Sequence, residues 1–158
     1  MSLYKYKLLR QTLLRYERAK QSRDTYYVTQ VASGSRGRGR GVELAREVHR
    51  EIWGLDPECI LNLETVSTPF PLAWRLRFGW LLGVADLVTF RNAVPVEVIE
   101  VKNYDAIRSY EAAQASLYGL LVMLNFAVKP RVYVKTPRGK NEINDWEILA
   151  LQALHGVA

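Results

Sequence analysis

The chain holds a single cysteine, Cys59, among 158 residues. One thiol cannot close an internal disulfide, and it excludes the cysteine sets that bind zinc or an iron–sulfur cluster. A small buried thiol is the expected state of Cys59. Long apolar runs are also missing. The longest, Leu117 to Val128, is interrupted by Asn125, which suits a buried helix and is too short to cross a bilayer. The first residues, MSLYKYKLLRQ, lack the apolar core of a secretory signal. A cytoplasmic protein with no membrane partner is therefore the expectation.

What the chain does have is a basic front end. Residues 1–40 carry ten Lys/Arg against Glu17 and Asp24, giving +8 and leaving −2 for the remaining 118 residues. Charge placed this unevenly suggests an anionic partner, nucleic acid first; a solvated basic helix is the plainer reading. Apolar residues make up 49% of the chain and charged residues 24%. Those proportions and this length suit one soluble domain spanning 1–158. Within it, 1–40 is a basic helix and Arg/Gly-rich loop, 41–136 the core, and 137–158 a basic turn and final helix.

Residues 3–20 suit a helix with Leu3, Leu9, Leu13 and Leu14 on one stripe. Tyr26–Val31 is apolar but of uncertain state. From Ser33 to Gly41, alternate glycines rule out regular structure, leaving a cationic loop that can wrap phosphates or serve as a plain linker. Val42 to Trp53 is amphipathic, with Leu44, Val48 and Ile52 at helical spacing and His49 beside them. Asp56-Pro57 breaks that pattern. Cys59–Val66 has strand character, Thr68-Pro69-Phe70-Pro71 reads as a turn or edge, and Ala73–Trp80 as a half-exposed strand. Leu81–Phe90 and Val94–Lys102 are two more strands joined by a tight turn at Arg91-Asn92-Ala93, completing an antiparallel meander. A helix over 106–127, stopped at Lys129-Pro130, carries the chain back to a strand at Arg131–Lys135. A basic turn follows at 137–140, then a helix over 145–154 capped by Asn144. The fold class is α/β, with helices flanking a mixed central sheet.

The chemistry concentrates in Gly83–Phe90 and Val96–Lys102. Acidic groups lie among Val, Ile and Leu, and a carboxylate in such surroundings is costly without a cation or donors. Residues two apart in a strand share a face, so Glu100 and Lys102 project together, and Asp86 on the neighbouring strand can face them. Two carboxylates and an ammonium suit Mg²⁺ or Mn²⁺ and a phosphodiester. A cross-strand salt bridge is the plainer alternative. Glu97 falls on the opposite face, as a surface group.

Asp86 followed by Glu100-Val101-Lys102 at the end of the next strand resembles the core of the PD-(D/E)xK nucleases. Gln114-Ala115-Ser116-Leu117-Tyr118 resembles the Q-x-x-x-Y motif on the helix after that core in RecB-like and CRISPR-associated exonucleases. Gly41 followed by His49 resembles the upstream G…H helix of the same group. The resemblance spans residues 37–135 and implies a restriction-endonuclease-like core and DNA as substrate. It implies His49, Asp86, Glu100 and the Val101 carbonyl as ligands of Mg²⁺ or Mn²⁺, and Lys102 as the catalytic lysine. It implies Gln114 and Tyr118 as residues that touch DNA or brace the site. Arg36, Arg38 and Arg40 would add backbone contacts. Tyr26, Tyr27, Trp74 and Trp80 offer surfaces for base stacking, with core packing the more usual role of such residues. Many members also carry four cluster-binding cysteines; with Cys59 alone, no iron–sulfur cluster is expected. Ala85 stands where the family label has proline. No helicase motif is present, so a motor or recombination partner would be another chain. The expected activity is RecB-like exonuclease action on single-stranded DNA or DNA ends. A structure-selective endonuclease like the Holliday-junction resolvases, and a DNA-binding subunit that does not cut, are the alternatives.

Overall fold

The structure, a computed structural model, describes residues 3–34 and 57–157. Helix α1 (Leu3–Gln21) opens the chain, followed by strand β1 (Thr25–Tyr27) and helix α2 (Val28–Ser33). After residue 56 come helix α3 (Pro57–Asn62) and strands β2 (Thr65–Leu76), β3 (Gly79–Arg91) and β4 (Val94–Val101). Helix α4 (Ser109–Phe126), strands β5 (Arg131–Thr136) and β6 (Gly139–Glu142), and helix α5 (Trp146–His155) complete the described chain. The helix expected over 42–53, with His49, and the Arg/Gly loop with Arg36, Arg38 and Arg40 lie outside the described residues.

The architecture is α/β with a mixed, open sheet. Strands β2–β3–β4 form the expected antiparallel meander. Asn92 and Ala93, both at positive φ, turn β3 into β4, the backbone that a two-residue hairpin turn requires. Helix α4 then carries the chain over the sheet so that β5 lies parallel to β4, the long crossover that a parallel pair demands. Strand β6 pairs antiparallel with β5 at one edge.

Several local expectations are corrected. Cys59–Ile60–Leu61 is helical, not extended, because Pro57 pre-sets φ for a first helical turn and Glu58 favours that helix end. Its thiol is exposed rather than buried. The strand expected over Ala73–Trp80 is two strands with a hairpin at Arg77-Phe78. Gly79 there adopts φ 139°, and a side chain at that position would meet the Asp24 carbonyl oxygen at 2.7 Å. Pro69 and Pro71 lie within β2, which pairs only with β3 among the described strands; proline is tolerated at such an edge because no ladder N–H is lost. Asp145 rather than Asn144 is the residue at the start of α5.

The interior forms two clusters, and β3 alternates between them. Leu81 and Ala85 join the larger one with Phe70, Leu117, Leu121 and Val132. Trp80, Leu82 and Val84 join a smaller one closed by Tyr16 and Ala19 of α1. Beyond Ala85 the alternation inverts, since Val88 and Phe90 return to the larger cluster. The register explains this. Phe70 pairs with Ala85 but Thr68 with Val88, so Asp86 and Leu87 together oppose Pro69. This β-bulge flips the side-chain parity of β3 and re-aims the residue within it.

Candidate functional site

Asp86 sits in that bulge. It is also where β3 and β4 part, since their register ends at Leu87 opposite Ile99. Farther back, the same side of β3 pairs instead with β1, at Trp80 to Leu82. The sheet therefore forks at residues 83–86. Backbone groups at such a fork lose their ladder partners and must find others. Here carboxylates take the role. The Asp86 N–H donates to Glu100 Oε1 at 3.2 Å, and the Val101 N–H donates to Asp86 Oδ2 at 2.9 Å. On its far side β4 continues to pair with β5, the Lys102 N–H donating to the Lys135 carbonyl at 2.8 Å.

Glu100 is fully buried, on the face of β4 that carries Val98 into the core. Its Oε2 is buried too and has no hydrogen-bond partner among the described residues. Burial first, then the neighbouring Asp86 carboxyl, pushes Glu100 well above the usual carboxylate range; Lys102 pulls the other way without prevailing. A solvent-excluded carboxyl beside a second carboxyl either keeps a proton or holds a cation. The donor set, all hard oxygen, suits a small divalent ion.

Lys102 follows β4 directly. Its Nζ donates to Gln114 Oε1 at 3.1 Å and lies 5.7 Å from the centre of the Tyr110 ring. Gln114 is buried on α4, so this acceptor is fixed by packing. One turn on, Tyr118 is buried as well. Burial, then the Glu100 and Asp86 carboxyls, pushes its hydroxyl well above the usual phenol range. Tyr118 approaches the sheet where β3 has Gly83. A Cβ there would lie 2.6 Å from the Tyr118 Oη, so only glycine admits the ring.

The structure thus brings Asp86, Glu100, Lys102, Gln114 and Tyr118 to one place. Val101 is beside them through its N–H, its side chain facing outward. Among the described residues no group of three or more His, Cys, Asp and Glu is clustered. Glu97 lies apart, paired with Lys140 at 3.3 Å. The aromatic residues weighed between base stacking and packing mostly serve packing. Trp80 is 6% exposed, Tyr26 packs edge-on to Phe78, and Trp74 lies under the Arg15 guanidinium at 4.6 Å. Sequence reasoning missed Gly83 and Tyr110. A glycine among buried apolar residues was the available signal for the first, and an aromatic one helical turn before Gln114 for the second.

No family model matches the chain, and no curated protein matches it. Among solved structures it is similar to the crystal structure of SSO0001, at 18% identity over 99% of this chain and 86% of that one, with a TM-score of 0.44. No helix among the described residues is long and apolar enough to cross a membrane.

Proposed function

We propose that this chain is a metal-dependent DNA nuclease with a restriction-endonuclease-like core, of the PD-(D/E)xK kind and its RecB-like branch. The observation that carries the reading is the pair of carboxyls at the sheet fork. Glu100 is buried with one oxygen unpartnered, and Asp86 is held against it by backbone N–H groups. An apolar strand has no packing reason to keep such a group, because an unsatisfied buried carboxyl is destabilising. A cation between the two resolves that cost.

Asp86, Glu100 and the Val101 carbonyl would hold Mg²⁺ or Mn²⁺, with His49 as a further ligand from the segment outside the described residues. Bound there, the ion supplies positive charge to a phosphodiester and acidifies water. Lys102, steered by Gln114, offers a second positive charge to the developing anion. Tyr118 stiffens the wall behind the carboxyls. Polyanionic substrate is drawn by the basic front of the chain, where residues 1–40 carry +8.

The test is cleavage of end-labelled single-stranded and duplex DNA with Mg²⁺, Mn²⁺ or EDTA, for the unaltered chain and Glu100→Ala. Cutting that needs metal and is lost in the variant supports the reading, and its product ladder separates exonuclease from junction-selective action. No metal-dependent cutting of any DNA form would leave a DNA-binding subunit as the better account.

A further inference from the structure

Beyond Lys102 the chain runs through a short segment, 103–108, before α4 begins. Its side chains sit at the C-terminal ends of the parallel strands β4 and β5, the end of an open α/β sheet where ligands gather. Tyr104 is 38% exposed and so is Ile107. Single exposed apolar groups are ordinary on a protein surface; it is the fixing of its ring that sets Tyr104 apart. Tyr104 is held. Its hydroxyl donates to Glu111, which is buried on α4, and Glu111 also accepts the Arg108 N–H at 3.1 Å. The Arg108 guanidinium lies 5.2 Å from the Tyr104 ring centre. Arg138, in the turn between β5 and β6, reaches back to Asp105 at 3.5 Å and ties the segment to the sheet. The Tyr110 ring, beside the Lys102 ammonium, connects this surface to the carboxyl site.

We propose that Tyr104 and Arg108 form a stacking lip that selects unpaired nucleotides of a DNA strand, with Arg138 meeting the adjoining phosphate. The inference rests on the nuclease reading for its substrate and assigns the residues that would select the strand. A fixed ring backed by a guanidinium offers two flat surfaces to a base, and every base has a π-face to set against them. A base paired inside a duplex is stacked on its neighbours and presents no such face. The lip therefore favours single strands and frayed ends over duplex. Arg108, 3.9 Å from Glu111, and Arg138, paired with Asp105, are both strongly exposed, which leaves guanidinium edges at the rim for phosphate.

Binding of fluorescent oligodeoxynucleotides in EDTA tests the lip without cleavage. Three probes are compared: a single strand, the same strand with consecutive abasic sites, and its duplex. The abasic strand keeps every phosphate and loses the bases. The unaltered chain is expected to bind the normal strand about five- to a hundredfold more tightly than the abasic one. Tyr104→Ala abolishes that difference, and Tyr104→Trp keeps it. Equal affinity of the unaltered chain for normal and abasic strands overturns the proposal, and this arm needs no variant to fold. Tighter binding of an RNA strand of the same sequence overturns the assignment to DNA. Cleavage assays on the same preparation keep the two readings apart. Base-dependent binding through Tyr104 without metal-dependent cutting removes the nuclease and leaves the lip; cutting without base dependence removes the lip alone.

Discussion

Asp86 and Glu100 are locked to each other through the backbone: the Asp86 N–H donates to the Glu100 carboxyl, and the Asp86 carboxyl accepts from the residue after Glu100. Neither can swing away without giving up one of these backbone bonds, so the two carboxyls stay close even without an ion between them. That sets a pH signature. The folded-state value of Glu100 lies above its ordinary 4.5. Below that ordinary value both folded and unfolded chains are protonated, and nothing is lost. As pH rises above it, the unfolded chain ionises first and folding is progressively opposed, until the folded group ionises too. In EDTA, the melting temperature of the unaltered chain should therefore fall as pH rises above 4.5, relative to that of Glu100→Gln, which has no proton to lose. Added Mn²⁺ should raise melting of the unaltered chain more at higher pH, since it displaces the proton, and should leave the variant unmoved. Parallel pH profiles for the two proteins would mean that Glu100 is not the group under stress.

Gly83 and Tyr118 make a second pair whose coupling can be measured. Gly83→Ala drives a methyl into the Tyr118 hydroxyl, which is buried and cannot withdraw into solvent. The expected cost is about 1–3 kcal/mol, the range for overpacking a core. Removing the oxygen with Tyr118→Phe should recover part of it. The recovery stays incomplete because the ring carbons Cε1 and Cζ remain at 3.0 and 3.2 Å from the new methyl. A double-mutant cycle in urea reads the coupling directly. Strict additivity would show that the ring relaxes elsewhere and that Gly83 has another reason to be small.

Lys102 and Gln114 separate charge from positioning. Under the nuclease reading, Lys102→Ala removes a charge aimed at the reacting phosphate, and kcat should drop about 10²–10³-fold. Gln114→Ala leaves the charge but releases the side chain, and a drop of about 10–100-fold is expected. Gln114→Glu keeps an oxygen in reach of the ammonium and should restore most of the rate. Mn²⁺ affinity, read by the melting shift, should stay unchanged in both Gln114 variants. If Gln114→Glu is as slow as Gln114→Ala, the amide acts on DNA directly rather than through Lys102.

Much of this site is legible in the sequence because two periodicities carry it. Period two puts Glu100 of β4 and Lys102 just after it on one face, and helical period puts Gln114 and Tyr118 one turn apart on α4. What periodicity cannot show is a change of phase. The bulge at Asp86-Leu87 inverts β3 in mid-strand, and alternation alone would have sent Val88 and Phe90 to the α1 side. The short helix α3 was illegible for a related reason. Six residues are too few for a helical pattern, and Val66 and Thr65 just beyond it lent the stretch a strand's composition. Pro57 ended one expected element and also began the next, which only the backbone resolves. Tyr104 carries no such periodic signal, because its fixed orientation depends on Glu111, seven residues on.

Arg36, Arg38 and Arg40 lie outside the described residues, yet their contribution has a distinct thermodynamic signature. If they contact the DNA backbone, each engaged guanidinium releases condensed counterions. The slope of log Kd against log salt for a single strand then changes by about 0.7 per contact. Replacing all three by alanine should reduce the slope by up to about 2 between roughly 50 and 200 mM salt. Binding should weaken equally for normal and abasic strands, because phosphates are common to both. The Tyr104→Ala variant should behave in the opposite way, losing the base dependence while keeping the salt slope. A triple arginine variant with an unaltered slope would make the Arg/Gly stretch a linker and assign the electrostatic attraction to α1, whose Arg10, Arg18 and Lys20 then become the next residues to replace.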